Sequence, residues 1–264
     1  MNTLLYDLLE GAVAQYNRPD FIAADPISIP HRFSSQADCE IAGLFAALFS
    51  WGQRPVIIKK SLELMHRMDN APADFVRNYA DADLKQLLGF VHRTFQETDL
   101  LYLMDFLQQH YRNNSSLEDA FLTEHPNSGR EVGFYRLKHF HETVFSSDYA
   151  PLRTRKHVPT PARGSSCKRL NMYLRWMVRR DGAGVDFGYW KRISPSDLIM
   201  PMDLHVQRIA TRLGLMQTEK SDWNSAVALT NVLKEFDPID PVKYDFALFG
   251  MGVMENQKLL KSSM

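Results

Sequence analysis

Helical periodicity is the feature that most restricts the fold of this chain. Apolar residues recur at intervals of three and four in segment after segment, beginning with Leu4, Leu5, Leu8 and Leu9. Alternating apolar and polar runs bounded by turn residues, which would indicate strands, are almost missing from the sequence. With 264 residues the chain is long enough to bury a large core. The sequence therefore predicts an all-α fold, built as one large domain or as two packed subdomains.

Capping residues locate several of the predicted helices. Asp38 is expected to cap the apolar helix EIAGLFAALFSWGQR, with Glu40 in its first turn, and Asp222 or Ser221 is expected to cap the helix that runs to Phe236. Other helices are predicted over 3–16, 55–68, 71–79, 98–111 and 130–145, and a last one from 240. The predicted division is a helical part over 1–145, a basic surface loop over 146–165, a second helical part over 166–255 and a frayed tail over 256–264.

Charge is unevenly distributed along a chain whose formal net charge is zero. Between Pro151 and Arg192 there are eleven basic residues and two acidic ones, an excess of nine positive charges. Such a concentration is typical of a surface that binds a polyanion. A basic surface that is merely solvated is the alternative interpretation.

Composition and targeting signals narrow the cellular setting. Two cysteines are too few for a disulfide scaffold or a four-cysteine metal cluster and favour a reduced cytoplasmic environment. The amino terminus lacks the basic start of a signal peptide. The longest apolar run, 41–49, is well short of the ~20 residues of a membrane span. His139 and His141 are two positions apart on a predicted helix and do not converge, so no metal site is expected.

The stretch from Gly164 to Leu215 contains the best candidates for chemistry. Ser165 or Ser166 is expected to cap a helix that begins near Lys168. Leu170, Leu174, Met177 and Val178 form the predicted buried face of this helix, and Lys168, Arg175 and Arg179 share its polar face. A lysine at a helix amino terminus lies in a positive potential that disfavours its ammonium form, as a nucleophile that forms a Schiff base requires. The same position would also suit a lysine that only binds phosphate.

Asp203 precedes a second amphipathic helix in this stretch, LHVQRIATRLGL. Val206, Ile209, Ala210 and Leu213 face one side of that helix, and Asp203 stands where an N-cap residue is expected. An aspartate there can be a structural cap and nothing more. Close to a cationic nucleophile, it can also accept a proton or stabilise positive charge that develops on a sugar.

The helix-start lysine followed by PMDLHVQRIA resembles the helix-hairpin-helix superfamily of DNA glycosylases. The resemblance implies a bundle of two packed helical subdomains with a cleft between them. It also implies that Lys168 attacks the anomeric carbon of a damaged nucleotide and that Asp203 supports the attack. The usual Leu-Pro-Gly-Val-Gly-like turn is replaced by RGSSCK, and 35 positions separate the two residues. Both departures are similar to the archaeal 8-oxoguanine glycosylase branch. No four-cysteine cluster follows, so no iron–sulfur cluster or other cofactor is expected.

Further residues are expected to contact the substrate. By similarity to that archaeal branch, Asp245 and Phe249 in YDFALFG would bind the extruded base. An enzyme that extrudes a base must stack it and hydrogen-bond its edge, and Trp51 with Gln53 could do this at the end of the first apolar helix. Trp176 and Trp190 are interpreted as core residues. The predicted DNA-backbone contacts are Arg163, Arg169, Arg175, Arg179, His205 and Arg208, although His205 could instead cap its own helix.

A second resemblance covers nearly the whole chain. The strings DPISIPHRF, EIAGLFAALFSWGQR, CKRLNMYLRWMVRRDGAGVDFGYW and DPVKYDFALFGMG resemble a bacterial family of unknown function, often found in Bacteroidetes, which implies no activity. The leading hypothesis is a monomeric, cytoplasmic, nucleoid-associated glycosylase, with or without AP-lyase activity, that removes an oxidised purine such as 8-oxoguanine from double-stranded DNA. The alternatives are a non-catalytic nucleic-acid or nucleotide-binding protein on the same scaffold, and an enzyme that acts on RNA.

Overall fold

The computed structural model describes residues 3–124, 131–217 and 220–262, with side chains described as far as 253. Within these ranges the chain forms ten α-helices, so the prediction of an all-α fold is confirmed. They are α1 (Thr3–Tyr16), α2 (Gln36–Phe49), α3 (Arg54–Arg67), α4 (Pro72–Asn78), α5 (Glu97–Asn113), α6 (Val132–Val144), α7 (Lys168–Val178), α8 (Leu204–Arg212), α9 (Trp223–Lys234) and α10 (Tyr244–Ser262).

Short 3-10 helices and one small hairpin connect these helices in the described residues. The hairpin pairs β1 (Val91–His92) with β2 (Phe95–Gln96) in antiparallel register. The predicted basic loop over 146–165 contains two 3-10 helices, Leu152–Lys156 and Pro161–Arg163. The last helix begins as a 3-10 turn, Pro241–Lys243, and continues as α10 to Ser262, into the segment predicted to be a frayed tail. None of the helices described has the length and apolar character needed to cross a membrane.

The chain divides into two compact units, each of which is discontinuous in sequence. Unit 1 comprises Met1–Phe21, Glu131–Gly133 and Pro161–Met264, and unit 2 comprises Ile22–Arg130 and Phe134–Thr160. Helix α1 therefore belongs with α7 to α10 in unit 1, although it comes first in the chain. Residues 151–160 and 161–192 of the basic segment fall in different units.

In unit 1, α10 packs against both α1 and α8. Two glycines of α10 allow these close approaches. A Cβ atom at Gly250 would lie 2.3 Å from the ring of Tyr16 on α1, and one at Gly252 would lie 3.0 Å from Cβ of His205 on α8. Because α8 begins directly after Asp203, the packing of α8 on α10 also fixes where Asp203 stands.

In unit 2, α2 is buried along almost its whole length and packs against α3 and α4. The predicted cap was wrong, since the helix starts earlier: Ser35 is the N-cap, and its Oγ accepts a hydrogen bond from the backbone N–H of Asp38 at 3.2 Å. Glu40 is fully buried instead of lying in the first turn. Its carboxylate accepts hydrogen bonds from Tyr111 Oη and Ser116 Oγ, both at 2.6 Å, and others from a backbone amide and a glutamine side chain. Glu40 therefore ties later segments of the unit to α2.

Candidate functional site

The turn before α7 determines where Lys168 lies. The predicted serine cap was wrong, because the N-cap residue is Cys167, a buried residue in the left-handed conformation with φ of 51°. Ser165 stabilises the turn that precedes the helix, because its Oγ accepts a hydrogen bond from the backbone N–H of Cys167 at 3.1 Å. The carbonyl of Gly164 accepts a hydrogen bond from the backbone N–H of Trp223, the first residue of α9, at 3.2 Å. This turn is thus tied to the start of α9, and it delivers Lys168 as the first residue of α7.

The carboxylate of Asp203 has two distinct environments. Its Oδ1 atom accepts hydrogen bonds from the backbone N–H groups of His205 and Val206, both at 2.9 Å, so that Asp203 is the N-cap of α8 as predicted. Its Oδ2 atom lies 3.3 Å from Nζ of Lys168. One oxygen therefore anchors the side chain to the backbone, and the other faces the amine.

Lys168 and Asp203 both remain accessible to solvent. The side chain of Lys168 is 30% exposed and that of Asp203 is 18% exposed. The expected proximity of these two residues, which are 35 positions apart in sequence, is observed in the structure. Water can reach the amine, and a proton acceptor stands within hydrogen-bond reach of it.

Asp245, in the first turn of α10, is the second carboxylate near this pair. It is buried and forms an ion pair with Nη1 of Arg175. Burial raises the pKa of Asp245 to about 6; the charge of Arg175 opposes this rise, while the negative charge of Asp203 adds to it. Because Arg175 is shared with Asp186, whose Oδ1 lies 3.3 Å from Nε of Arg175, its charge only partly compensates Asp245. Asp245 therefore lies within electrostatic reach of Asp203, in the protein interior.

Arg175 and Arg179 do not lie on an exposed polar face, and that prediction was wrong. Both arginines are buried, at 4% and 1% exposure. Asp186 bridges them, since its Oδ2 lies 3.0 Å from Nη1 of Arg179. Arg179 also pairs with Asp181 and, at 2.8 Å, with Asp240. A buried guanidinium held by carboxylates is not available to a DNA phosphate, so the predicted backbone role of these two residues does not fit the structure.

The other predicted backbone contacts differ in exposure. Arg163 and Arg208 are exposed, and Arg169 and His205 are half-buried. Nη2 of Arg208 lies 3.4 Å from the carbonyl oxygen of Gly252 on α10. The ring of His205 packs edge-on against the ring of Phe249, with 6.4 Å between centroids. His205 thus faces α10, and the cap of its helix is Asp203.

The predicted base-binding residues fall in both units. Phe249, in unit 1, is half-buried and also packs edge-on against Phe21. Trp51 and Gln53 belong to unit 2. Trp51 is half-buried, with the guanidinium of Arg93 lying 4.6 Å from its ring centroid, and Gln53 is exposed just before α3. The interpretation of Trp176 and Trp190 as core residues is confirmed, since both are buried in unit 1.

Leu204 is a residue beside the site that the sequence interpretation passed over. It directly follows Asp203, and 75% of its surface is exposed. A signal for this was present: Leu204 lies off the buried stripe of α8 and shares a helix face with Arg208 and Arg212 at intervals of four. An apolar side chain aligned with two arginines is not a core position.

A metal centre is not indicated in the part of the chain that the structure describes, where no three histidine, cysteine, aspartate or glutamate side chains are grouped to hold an ion. His141, one of the two histidines considered for such a site, is buried, with Nδ1 2.6 Å from the carbonyl oxygen of Val158.

Comparison with known proteins identifies a family. A profile described as a protein of unknown function (DUF2400) matches residues 25–254, which include α2 to α9, Lys168 and Asp203. The chain belongs to this family. The resemblance to a family of unknown function is thereby confirmed. A search of curated proteins finds no match to the chain, and a search of solved structures finds none either.

Proposed function

We propose that this protein is a DNA glycosylase that removes an oxidised purine such as 8-oxoguanine and passes through a Schiff base on Lys168. The observation that carries the proposal is the distance of 3.3 Å between Nζ of Lys168 and Oδ2 of Asp203, in side chains that solvent can reach. An amine next to a positioned carboxylate is the arrangement that nucleophilic catalysis by lysine needs. The resemblance of the helix-start lysine and PMDLHVQRIA to helix-hairpin-helix glycosylases supplies the reaction type.

In the proposed reaction Asp203 first accepts a proton from the ammonium of Lys168. The free amine then forms a bond from Nζ to C1′ of the nucleotide. The N-glycosidic bond breaks, its electron pair leaves with the base, and the base takes the proton that Asp203 had accepted, which restores the carboxylate. A proton then moves from Nζ to O4′ as the C1′–O4′ bond breaks, which gives the protonated Schiff base, and the carboxylate of Asp203 stabilises its positive charge. Water then releases the sugar, or β-elimination cleaves the strand on the 3′ side as an AP lyase does.

Asp203 suits this role because its cap bonds already hold it in place. The two hydrogen bonds to Oδ1 fix the carboxylate before any substrate arrives, and Oδ2 stays directed at the amine. Such preorganisation lowers the cost of positioning the proton acceptor in the transition state. The structural role of Asp203 as a cap and its proposed chemical role are therefore compatible.

Substrate contacts remain proposals that rest mainly on the resemblance. Phe249, which is half-buried, would contact the extruded base near the amine. Asp245 is buried and paired with Arg175, so the predicted direct contact of its carboxylate with the base does not fit the structure. The assignment of Trp51 and Gln53 to base binding stays a prediction. Arg163, Arg169 and Arg208 stay as proposed backbone contacts, because Arg163 and Arg208 are exposed and Arg169 is half-buried. We further propose that the protein acts as a monomer on the DNA of the nucleoid, in the cytoplasm.

Borohydride trapping tests this function. Duplexes that carry single oxidised purines, and a duplex with an abasic site, are incubated with the protein and sodium borohydride, which reduces a Schiff base to a stable amine. We expect a covalent adduct with at least one duplex, and none with Lys168→Gln. Lys191→Gln is the matched control, since Lys191 is an exposed lysine of the same unit. Failure to trap any adduct, with duplex binding retained, would favour the non-catalytic nucleic-acid-binding alternative.

A further inference from the structure

Helix α3 presents an apolar stripe that the core of unit 2 does not use. The helix packs against α2, and its buried residues are Ile57, Ser61, Leu64 and Met65. Pro55, Ile58 and Leu62 recur at intervals of three and four on another side of the helix. Pro55 is exposed, and Ile58 and Leu62 are half-buried. A surface helix is normally polar on the side that faces away from its core, so the packing of unit 2 does not explain this stripe.

The stripe lines an open groove. Its other lining residues are Ala24, Arg54 and Lys59, and all six residues belong to unit 2. The groove thus combines four apolar residues with two basic ones, and none of the described residues that line it is acidic. An exposed apolar surface with a charged rim is typical of a site where another protein binds.

The charge of α3 favours an acidic partner. The helix carries four basic residues, Arg54, Lys59, Lys60 and Arg67, against one acidic residue, Glu63. Glu63 is already neutralised, since its carboxylate oxygens lie 2.7 Å from Nζ of Lys60 and 3.0 Å from Nη2 of Arg67. Lys59 is exposed and forms no ion pair with any residue that the structure describes. Its ammonium is therefore available to a carboxylate that lies beside the apolar stripe.

The form of the groove indicates how a partner would lie in it. Helix α3 forms most of the groove, and the backbone groups of a helix are already hydrogen-bonded, so a partner is recognised by side chains and not by addition of a strand. The stripe extends over seven positions from Pro55 to Leu62, which is about 10 Å along the helix axis. Apolar residues at positions i, i+4 and i+7 of a partner helix cover the same length.

We infer that this groove of unit 2 binds an acidic amphipathic helix of another protein. The apolar face of that helix lies on Pro55, Ile58 and Leu62, and one of its carboxylates pairs with Lys59. The inference goes beyond the proposed function and does not depend on it, because Lys168 belongs to unit 1.

Binding is measured by fluorescence anisotropy with the full-length protein and a synthetic peptide. The fluorescein-labelled probe has about four helical turns, with leucines at intervals of three and four, glutamates beside them and alanines elsewhere. We expect saturable binding, and an affinity about tenfold lower for Lys59→Glu and for Leu62→Ala, since each change removes one of a few anchors. Lys85→Glu and Leu88→Ala are the matched controls, because both residues are exposed in the same unit and lie outside the groove.

Two further measurements locate the contact and identify the occupant. Hydrogen exchange of the wild type with saturating peptide should slow in the segment 54–62, and circular dichroism verifies that each variant is folded. The inference is overturned if the acidic peptide does not bind saturably, if a peptide with lysines in place of the glutamates binds equally well, or if the controls lose as much affinity as Lys59→Glu. A dimer in light scattering that Lys59→Glu dissociates would also overturn it, because the occupant would then be a second copy of this chain.

Discussion

Substitution of Asp203 separates its role as a helix cap from its proposed role as a proton acceptor. Asparagine keeps an oxygen at the position of Oδ1, which accepts the two backbone hydrogen bonds of 2.9 Å, but it removes the charge that faces Lys168. Alanine removes both. Loss of an N-cap costs about 1 kcal/mol, and a partly exposed ion pair contributes at most about 1 kcal/mol. We therefore expect the free energy of unfolding of Asp203→Asn to lie within about 1 kcal/mol of the wild-type value. That of Asp203→Ala should be about 2 kcal/mol lower than the wild-type value.

Asp203→Asn and Asp203→Ala should differ in stability but not in activity. A positioned general base contributes about 100-fold to 10,000-fold to a rate, so both variants should lose borohydride-trapped adduct by at least about 100-fold. Stability is measured by urea unfolding followed by circular dichroism, and adduct formation by a time course on the best lesion duplex. An Asp203→Asn variant that forms adduct as fast as wild type would show that Asp203 is only a cap. An Asp203→Asn variant as unstable as Asp203→Ala would refute the assignment of Oδ1 as the capping atom.

Three further predictions concern packing and buried charge. Gly250→Ala should lower the melting temperature through an overpacking cost of about 1 to 3 kcal/mol, because the new Cβ would lie 2.3 Å from the Tyr16 ring; an unchanged melting temperature would mean that α1 can move aside. Glu40→Gln should lower the free energy of unfolding in urea by at least about 2 kcal/mol, because the amide nitrogen of glutamine would replace an oxygen that accepts hydrogen bonds in the core of unit 2. A smaller loss would show that the hydrogen bonds to Glu40 do not stabilise unit 2 as described. The folded-state pKa of Asp245, about 6, lies above its ordinary value of 3.8, so its contribution to stability is present below about pH 4 and is lost as the pH rises through about 6. Relative to wild type, Asp245→Asn should therefore gain about 2 kcal/mol between pH 4 and pH 7, and a pH-independent difference would contradict the raised pKa.

The helices and the Lys168–Asp203 pair were accessible from sequence because local signals specify them. Helix α1 was predicted with its observed bounds, and the cap at Asp203 was predicted from residue type and position alone. Of the two candidates for the cap of α9, Ser221 and Asp222, the structure has Asp222. The pairing of Lys168 with Asp203 was predicted by the resemblance to a family that uses such a pair. In each case the deciding residues lie within one helical turn of the feature or belong to a recognisable motif.

The wrong predictions for Arg175 and Arg179 depended in part on partners far away in sequence. Arg175 was assigned to a polar face because neighbouring residues cannot reveal that Asp245, 70 positions later, would neutralise it. Arg179 likewise meets Asp240, 61 positions later. The start of α7 near Lys168 was predicted correctly, but its cap was not, since a left-handed Cys167 in place of a serine cap is a backbone conformation that residue type does not indicate. The excess of basic residues in this segment is therefore partly compensated inside the protein.

The central claim is that the amine of Lys168 forms a covalent bond with DNA. Peptide mapping of the borohydride-trapped complex tests it directly: the complex is digested with protease and nuclease, and the modified peptide is sequenced by mass spectrometry. The proposed function predicts one reduced sugar adduct, on the peptide that contains Lys168. An adduct on a different lysine, or an equal yield of adduct with Lys168→Gln, would contradict it.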